Sequence, residues 1–292
     1  MNLTPFLLAG MPAAAWIAAA FVLGLLVGSF LNVVILRLPA RLMHGWRRDA
    51  REVLELGDPG EAVPPGLVLQ ASHCPECKHP LAAYENIPLL SWLVLRGRCR
   101  HCKAPISIQY PLVELLTGVL SAVVVWRFGP TWGALAALFF TWVLIAAAGI
   151  DLRTQLLPDP LTLPLLWLGL LIALVPLFAD ARAAIIGAAV GYVALWCVYW
   201  LFKLLTGKEG MGYGDFKLLA ALGAWMGPVA LLPVILLSSF VGAIVGLVAL
   251  QLRGQDRSTP IPFGPFLATA GWVWFVFGDG ILSAYLRFSG LK

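Results

Sequence analysis

Two aspartates and four cysteines are the residues of this 292-residue chain whose types and spacing could do chemistry. Asp151 ends the apolar run VLIAAAGI and opens the stretch DLRTQLLPD. Asp215 follows three alternate glycines, Gly210, Gly212 and Gly214, in GMGYGDFKLLAALGAWMG, and a largely apolar segment comes after it. Burying a carboxylate is costly unless it is paired, hydrated or protonated. Two carboxylates at one membrane depth can share a proton and activate a water. Glycines at alternate positions would let the backbone approach a neighbouring helix or an extended peptide closely.

The other acids near apolar segments invite blander readings. Glu114, in YPLVELLTG, is either an interfacial carboxylate reaching water or a structural hydrogen-bonding group. Asp159 stands between Pro158 and Pro160, a loop and helix-start position.

The cysteines form two knuckles. HCPECKHP and RCRHCKAP give Cys74-x2-Cys77 and Cys99-x2-Cys102, separated by 21 residues. Each turn offers two thiolates to one tetrahedral ion, so the four together carry the signature of a zinc ribbon. A pair of disulfides is the alternative, disfavoured in a reducing compartment. His73, His79 and His101 flank the cysteines and are read as surface residues, although each could replace one ligand. Cys197 lies alone in an apolar segment and is read as a small core residue.

The elements that must position these groups follow from composition. Hydrophobic residues make up 60% of the chain and charged residues 12%, with a mean hydropathy of +0.87. A soluble domain carries about 25% charged residues, so this chain is expected to fold in a bilayer. Runs of about 20 apolar residues mark spanning helices. Seven are read: Ala13–Leu36, Pro111–Phe128, Trp132–Ile150, Leu161–Phe178, Ala183–Leu205, Pro228–Leu252 and Phe263–Leu286. Phe216–Met226 is a shorter, weaker eighth. The first segment is too long for a signal-peptide core and is expected to stay as a helix.

Basic residues set the orientation. With eight spans and the N-terminus outside, 16 of the 20 Lys and Arg fall on the cytoplasmic side, ten of them in Arg37–Tyr110. Four fall outside: Arg127, Arg182, Arg287 and Lys292. The net charge of +5 is then a topology signal, and no nucleic-acid partner is expected. Both cysteine pairs and the helix ends carrying Asp151 and Asp215 are placed in the cytoplasm. If the eighth segment were not a helix, the last two loops, with Arg253 and Arg257, would change sides. Within the long loop, Asp49, Glu52, Glu55, Asp58 and Glu61 recur every third residue. Gly57 and Pro59 interrupt that stripe, and 49–61 is read as a solvated face.

Taken in order, GSFLNVVILRLP, the two CxxC pairs around ENIPLLSWLVLRGRC, QYPLVELLTG, DLRTQLLPD and GYGDFKLLAALGAWMG make the chain resemble the type IV prepilin peptidases over nearly its whole length. The resemblance implies an all-α polytopic membrane protein with about eight transmembrane helices and a cytoplasmic zinc-ribbon loop between the first two. Residues 1–36 would be the first helix, 37–110 the loop and 111–292 the membrane aspartyl peptidase core. It implies Asp151 and Asp215 as the catalytic pair of a GxGD-type aspartyl protease, and zinc on Cys74, Cys77, Cys99 and Cys102. It further implies cleavage after Gly of the basic leader of prepilins and type II secretion pseudopilins. The new N-terminal residue, usually Phe, would then be N-methylated from S-adenosylmethionine. The site would face the cytoplasm at the bacterial inner membrane. Gly97, in LRGRC, is the candidate for a residue affecting methyl transfer, and no Rossmann-type glycine motif marks the methyl-donor site. Oligomeric state is not encoded in these motifs.

Two other classes compete. An ion-coupled transporter also places carboxylates among helices, but near the midplane and with no need of a zinc ribbon. A zinc-ribbon membrane scaffold would need the loop and not the aspartates.

Overall fold

A computed structural model describes residues 12–57, 60–68, 70–253 and 261–290. Asp58, Pro59, Arg257 and Lys292 lie outside the described residues. Among the described residues the regular structure is helical: α1 (Ala13–Val53), α2 (Leu90–Val94), α3 (Gln109–Phe128), α4 (Trp132–Thr154), α5 (Asp159–Ile172), α6 (Ala181–Thr206), α7 (Tyr213–Met226), α8 (Leu231–Arg253) and α9 (Gly264–Phe288). Six of these are long and apolar enough to cross a membrane: α1, α3, α4, α6, α8 and α9. Helices α5 and α7 have 14 residues each, or about 21 Å against a hydrocarbon core of about 30 Å. The protein is a multi-pass helical membrane protein.

Two boundaries depart from the apolar runs. Helix α1 continues past Leu36 through Pro39 to Val53. Proline removes one intrahelical bond, yet the helix continues, and this extension binds the returning chain: Arg37 donates to the carbonyls of Gly66 and Gln70, and Arg41 to that of Pro64. Helix α5 stops at Ile172, well short of Phe178. Pro176 disfavours helical backbone at the residue before it, and Phe178 instead packs its ring on Trp225 and Phe275.

The chain forms two compact units, each with its own interior. Among the described residues, one contains 131–136 and those from 147 onward; the other contains 12–130 together with 137–146. At the centre of the first is α7, in which Phe216, Leu218, Leu219, Ala221 and Leu222 are fully buried. Small residues make this possible. Gly187 of α6 and Gly223 of α7 lie in backbone contact, where any Cβ would strike the opposite carbonyl. The weak eighth segment is therefore the interior helix of its unit. In the second unit Gly24 and Gly28, one turn apart on α1, let that helix approach Thr117, Gly118 and Glu114 of α3.

Cys197 is exposed on α6, which corrects its reading as a core residue. An apolar helix in a bilayer has no need to bury its small side chains.

Candidate active site and metal centre

Asp151 and Asp215 belong to the same unit, and three helix ends bring them together. Asp151 sits in the last turn of α4 and Asp215 in the first turn of α7. Both are buried, at 5% and 7% exposure, and they are close enough for their charges to interact. The C-terminal end of a helix is a poor place for a carboxylate. The cost at Asp151 is offset by α9, whose first residue, Gly264, donates its amide to Asp151 Oδ2 at 3.0 Å. That puts the carboxylate on the positive end of a helix dipole.

Leu157, in the α4–α5 connection, is the spacer. A Cβ on Gly214 would stand 2.5 Å from Leu157 Cβ. A Cβ on Gly264 would stand 2.6 Å from Asp151 Oδ2 and 3.0 Å from Leu157 Cδ1. Gly214 thus serves close approach to Leu157, and Gly210 packs likewise on the Phe202 ring. The main-chain amide of Asp215 donates to Gly212 O at 3.2 Å. Among the described residues Asp215 Oδ1 is buried with no hydrogen-bond partner. A buried acceptor with nothing to accept from is where a water, a proton or a substrate group is accommodated.

Asp159 is the first residue of α5 and half-exposed; both its oxygens accept from Lys217 Nζ, at 2.6 and 2.8 Å. Lys217 lies two residues beyond Asp215, so this pair ties the start of α5 to the first turn of α7. Sequence reasoning missed Lys217, Leu157 and Gly264. Only Gly264-Pro265 left a trace, because proline at the start of a helix is a recognisable signal.

Glu114 belongs to the other unit. It is buried, accepts the amide of Leu89 at 2.8 Å and is bonded by the Ser29 hydroxyl. Of its two readings, the structural one fits.

The four cysteines converge. Cys74 and Cys99 are buried, Cys77 and Cys102 exposed, and their sulfurs all lie within 4.8 Å of one another. The two knuckles repeat each other. The amide of Lys78 donates to Cys74 O and that of Lys103 to Cys99 O, both at 3.0 Å. Lys78 and Lys103 adopt positive φ, and an isolated bridge closes each knuckle, His73–Pro80 and Arg98–Pro105. Cys74 Sγ and Cys102 Sγ are 3.8 Å apart. A disulfide needs about 2.05 Å, whereas four sulfurs on a tetrahedral ion at about 2.3 Å stand about 3.8 Å from one another. The donor set fits zinc. The amides of Cys102 and His101, aimed at the Cys99 sulfur, lower that thiol to about 7. Cys102, although the Ala104 amide bonds to it, is held up to about 11 by burial and its neighbouring thiols. The His79 and His101 rings lie against each other, centroids 3.5 Å apart, both exposed.

Gly97 is buried at φ +66, and a Cβ there would meet the Trp92 ring at 2.9 Å. Its amide donates to Trp92 O and its carbonyl accepts from Ile106, which sets the turn into the second knuckle.

The chain is thus a polytopic helical membrane protein with paired buried carboxylates and a four-thiolate loop. Comparison with known proteins narrows this. Residues 22–128 match the bacterial peptidase A24 N-terminal domain and residues 138–247 the type IV leader peptidase family. A prepilin leader peptidase/N-methyltransferase of Xanthomonas campestris pv. campestris is 59% identical over 97% of this chain and 96% of its own length. Proteins of the same name from Aeromonas hydrophila and Pseudomonas aeruginosa are 57% and 55% identical, over 93% and 95% of this chain and 94% and 96% of their own lengths. No solved structure matches the chain. The chain belongs to the type IV leader peptidase family.

Proposed function

We infer that the chain cleaves the leader from type IV prepilins and type II secretion pseudopilins and then N-methylates the new N-terminal residue. Asp151 and Asp215 are assigned as the catalytic pair within a peptidase core spanning 111–292. The observation that carries the assignment is the pair of buried carboxylates in one unit: Asp151 Oδ2 accepts the Gly264 amide, and Asp215 Oδ1 has no hydrogen-bond partner among the described residues.

One carboxylate takes a proton from a water as the water oxygen attacks the carbonyl carbon of the Gly-Phe bond. The other, protonated, polarises the carbonyl oxygen. Collapse of the tetrahedral intermediate breaks the C–N bond, and a proton passes to the leaving amine. S-adenosylmethionine, when bound, would supply the methyl group to the freed amine, which would lose a proton as S-adenosylhomocysteine leaves. Zinc on Cys74, Cys77, Cys99 and Cys102 would staple the loop 37–110, and Gly97 would affect methyl transfer by shaping the turn beside it. Basic-residue distribution supports a cytoplasmic position for the loop and both aspartates at the inner membrane.

The test is incubation of purified protein with a model prepilin, followed by mass spectrometry. Loss of the leader after Gly, and addition of one methyl group only when the methyl donor is supplied, is the expected result. An intact prepilin would refute the assignment.

A further inference from the structure

Helix α2 is held at one end of a membrane span. The Leu89 amide, at its start, is bonded to Glu114 of α3 at 2.8 Å, and the Trp92 indole donates to Ile106 O at 3.3 Å. Glu114 is five residues into α3, about 7.5 Å along the helix axis. Helix α2 is therefore held beside the end of α3 that carries the loop, within about two turns of the start of that apolar span.

Among the described residues the apolar face of α2 stays uncovered. Leu90, Leu93 and Val94 are 59%, 62% and 80% exposed, a large apolar load for a five-residue helix. Four cations follow at once: Arg96, Arg98, Arg100 and Lys103, all exposed. With Val94, Leu95 and Cys99 they line a recess of about 510 Å³. Arg100 is partly engaged, bonded to the Tyr84 hydroxyl and lying over its ring. No carboxylate among the described residues pairs with Arg96, Arg98 or Lys103.

Apolar side chains beside clustered cations, near the start of an apolar span, match a surface of acyl chains and anionic headgroups. We propose that α2 and the adjoining basic recess form an interfacial anchor, in which Leu90, Leu93 and Val94 enter the bilayer surface and Arg96, Arg98 and Lys103 hold the phosphate of an anionic phospholipid. The loop is tethered to the bilayer at both ends, by α1 and α3, so even weak contacts are populated at the resulting effective concentration. A solvated basic face would account for the cations and leave the apolar residues unexplained.

Hydrogen exchange on the full chain in lipid nanodiscs tests this. In discs containing phosphatidylglycerol, amides of 87–103 should exchange at least about tenfold more slowly than in phosphatidylcholine discs. The difference should shrink at high salt. R96Q/R98Q/K103Q should abolish the lipid dependence while retaining zinc, which confirms an intact loop. L93S/V94S should speed exchange in both disc types and leave the zinc content unchanged. Equal wild-type exchange in the two lipids would overturn the proposal, as would lipid dependence that survives the triple substitution. Protection reproduced in phosphatidylcholine discs by inorganic phosphate would make the recess a plain anion site and overturn the lipid anchor. Protection in those discs that needs added pilin would assign the surface to a protein.

Discussion

The main-chain amide of Gly264 donates to Asp151 Oδ2 at 3.0 Å, across 113 residues of sequence. This contact fixes one carboxylate of the proposed pair from outside both motifs that contain the aspartates. Gly264→Ala puts a methyl group 2.6 Å from that oxygen, so the carboxylate must move or the helix start must shift. Prepilin cleavage should fall by about 10²-fold, the cost expected of a 1 Å misplacement. Methylation of a pre-cleaved pilin, measured in parallel, should be retained.

The Asp159–Lys217 pair has a different standing. Its side chains are 49% and 28% exposed, and such pairs are worth about 0–1 kcal/mol. Asp159→Asn should therefore keep substantial cleavage activity, with a small loss of thermal stability. An inactive Asp159→Asn with an active Asp151→Asn would show the partner of Asp215 to be misassigned.

How much of this could be seen beforehand depended on the range of the interaction. CxxC knuckles are local, so Cys74, Cys77, Cys99 and Cys102 were legible as one site. Asp151 and Asp215 stood out because apolar surroundings make an acid conspicuous. The contacts that shape their site come from far away in sequence. Leu157 looks like any leucine until Gly214 and Gly264 close on it. The interior position of α7 was hidden too, because its 14 residues look like a weak span, and their burial depends on close approaches such as Gly187 to Gly223 and Gly191 to Leu219 that join residues far apart in sequence. Cys197 failed for a physical reason: in a bilayer, hydrophobicity no longer distinguishes inside from outside. The end of α5 was legible after all, in Pro176, but the apolar run through Phe178 outweighed it.

The cysteine cluster predicts about one zinc per chain, measured by elemental analysis after tag removal. Cys74→Ser with Cys77→Ser should lose it, since two of the four thiolates vanish. Methylation should suffer at least as much as cleavage, because the cysteines and the aspartates belong to different units of the chain. Unchanged zinc content in the double variant would refute the assignment.

Sidedness is tested by reporter fusions. Fusions after Arg100 and after Arg182 should give opposite signals, the first cytoplasmic and the second external, as the distribution of basic residues requires. Matching signals would break the shared cytoplasmic face assigned to the loop and the aspartates.

The central claim is that Asp151 and Asp215 act as one proton-sharing unit. Asparagine keeps the size of aspartate and can still donate a hydrogen bond, but it cannot take a proton from water. Losing a general acid or base costs about 10²–10⁴-fold, and more where two groups act together. The most direct measurement is the prepilin cleavage rate, across pH, of wild type, Asp151→Asn, Asp215→Asn and the double variant. Wild type should fall off on both sides of an optimum, as a shared proton demands. Each single variant should be inactive, the double variant little worse than either, and all three should still methylate a pre-cleaved pilin. Near-normal cleavage by Asp215→Asn would contradict the account.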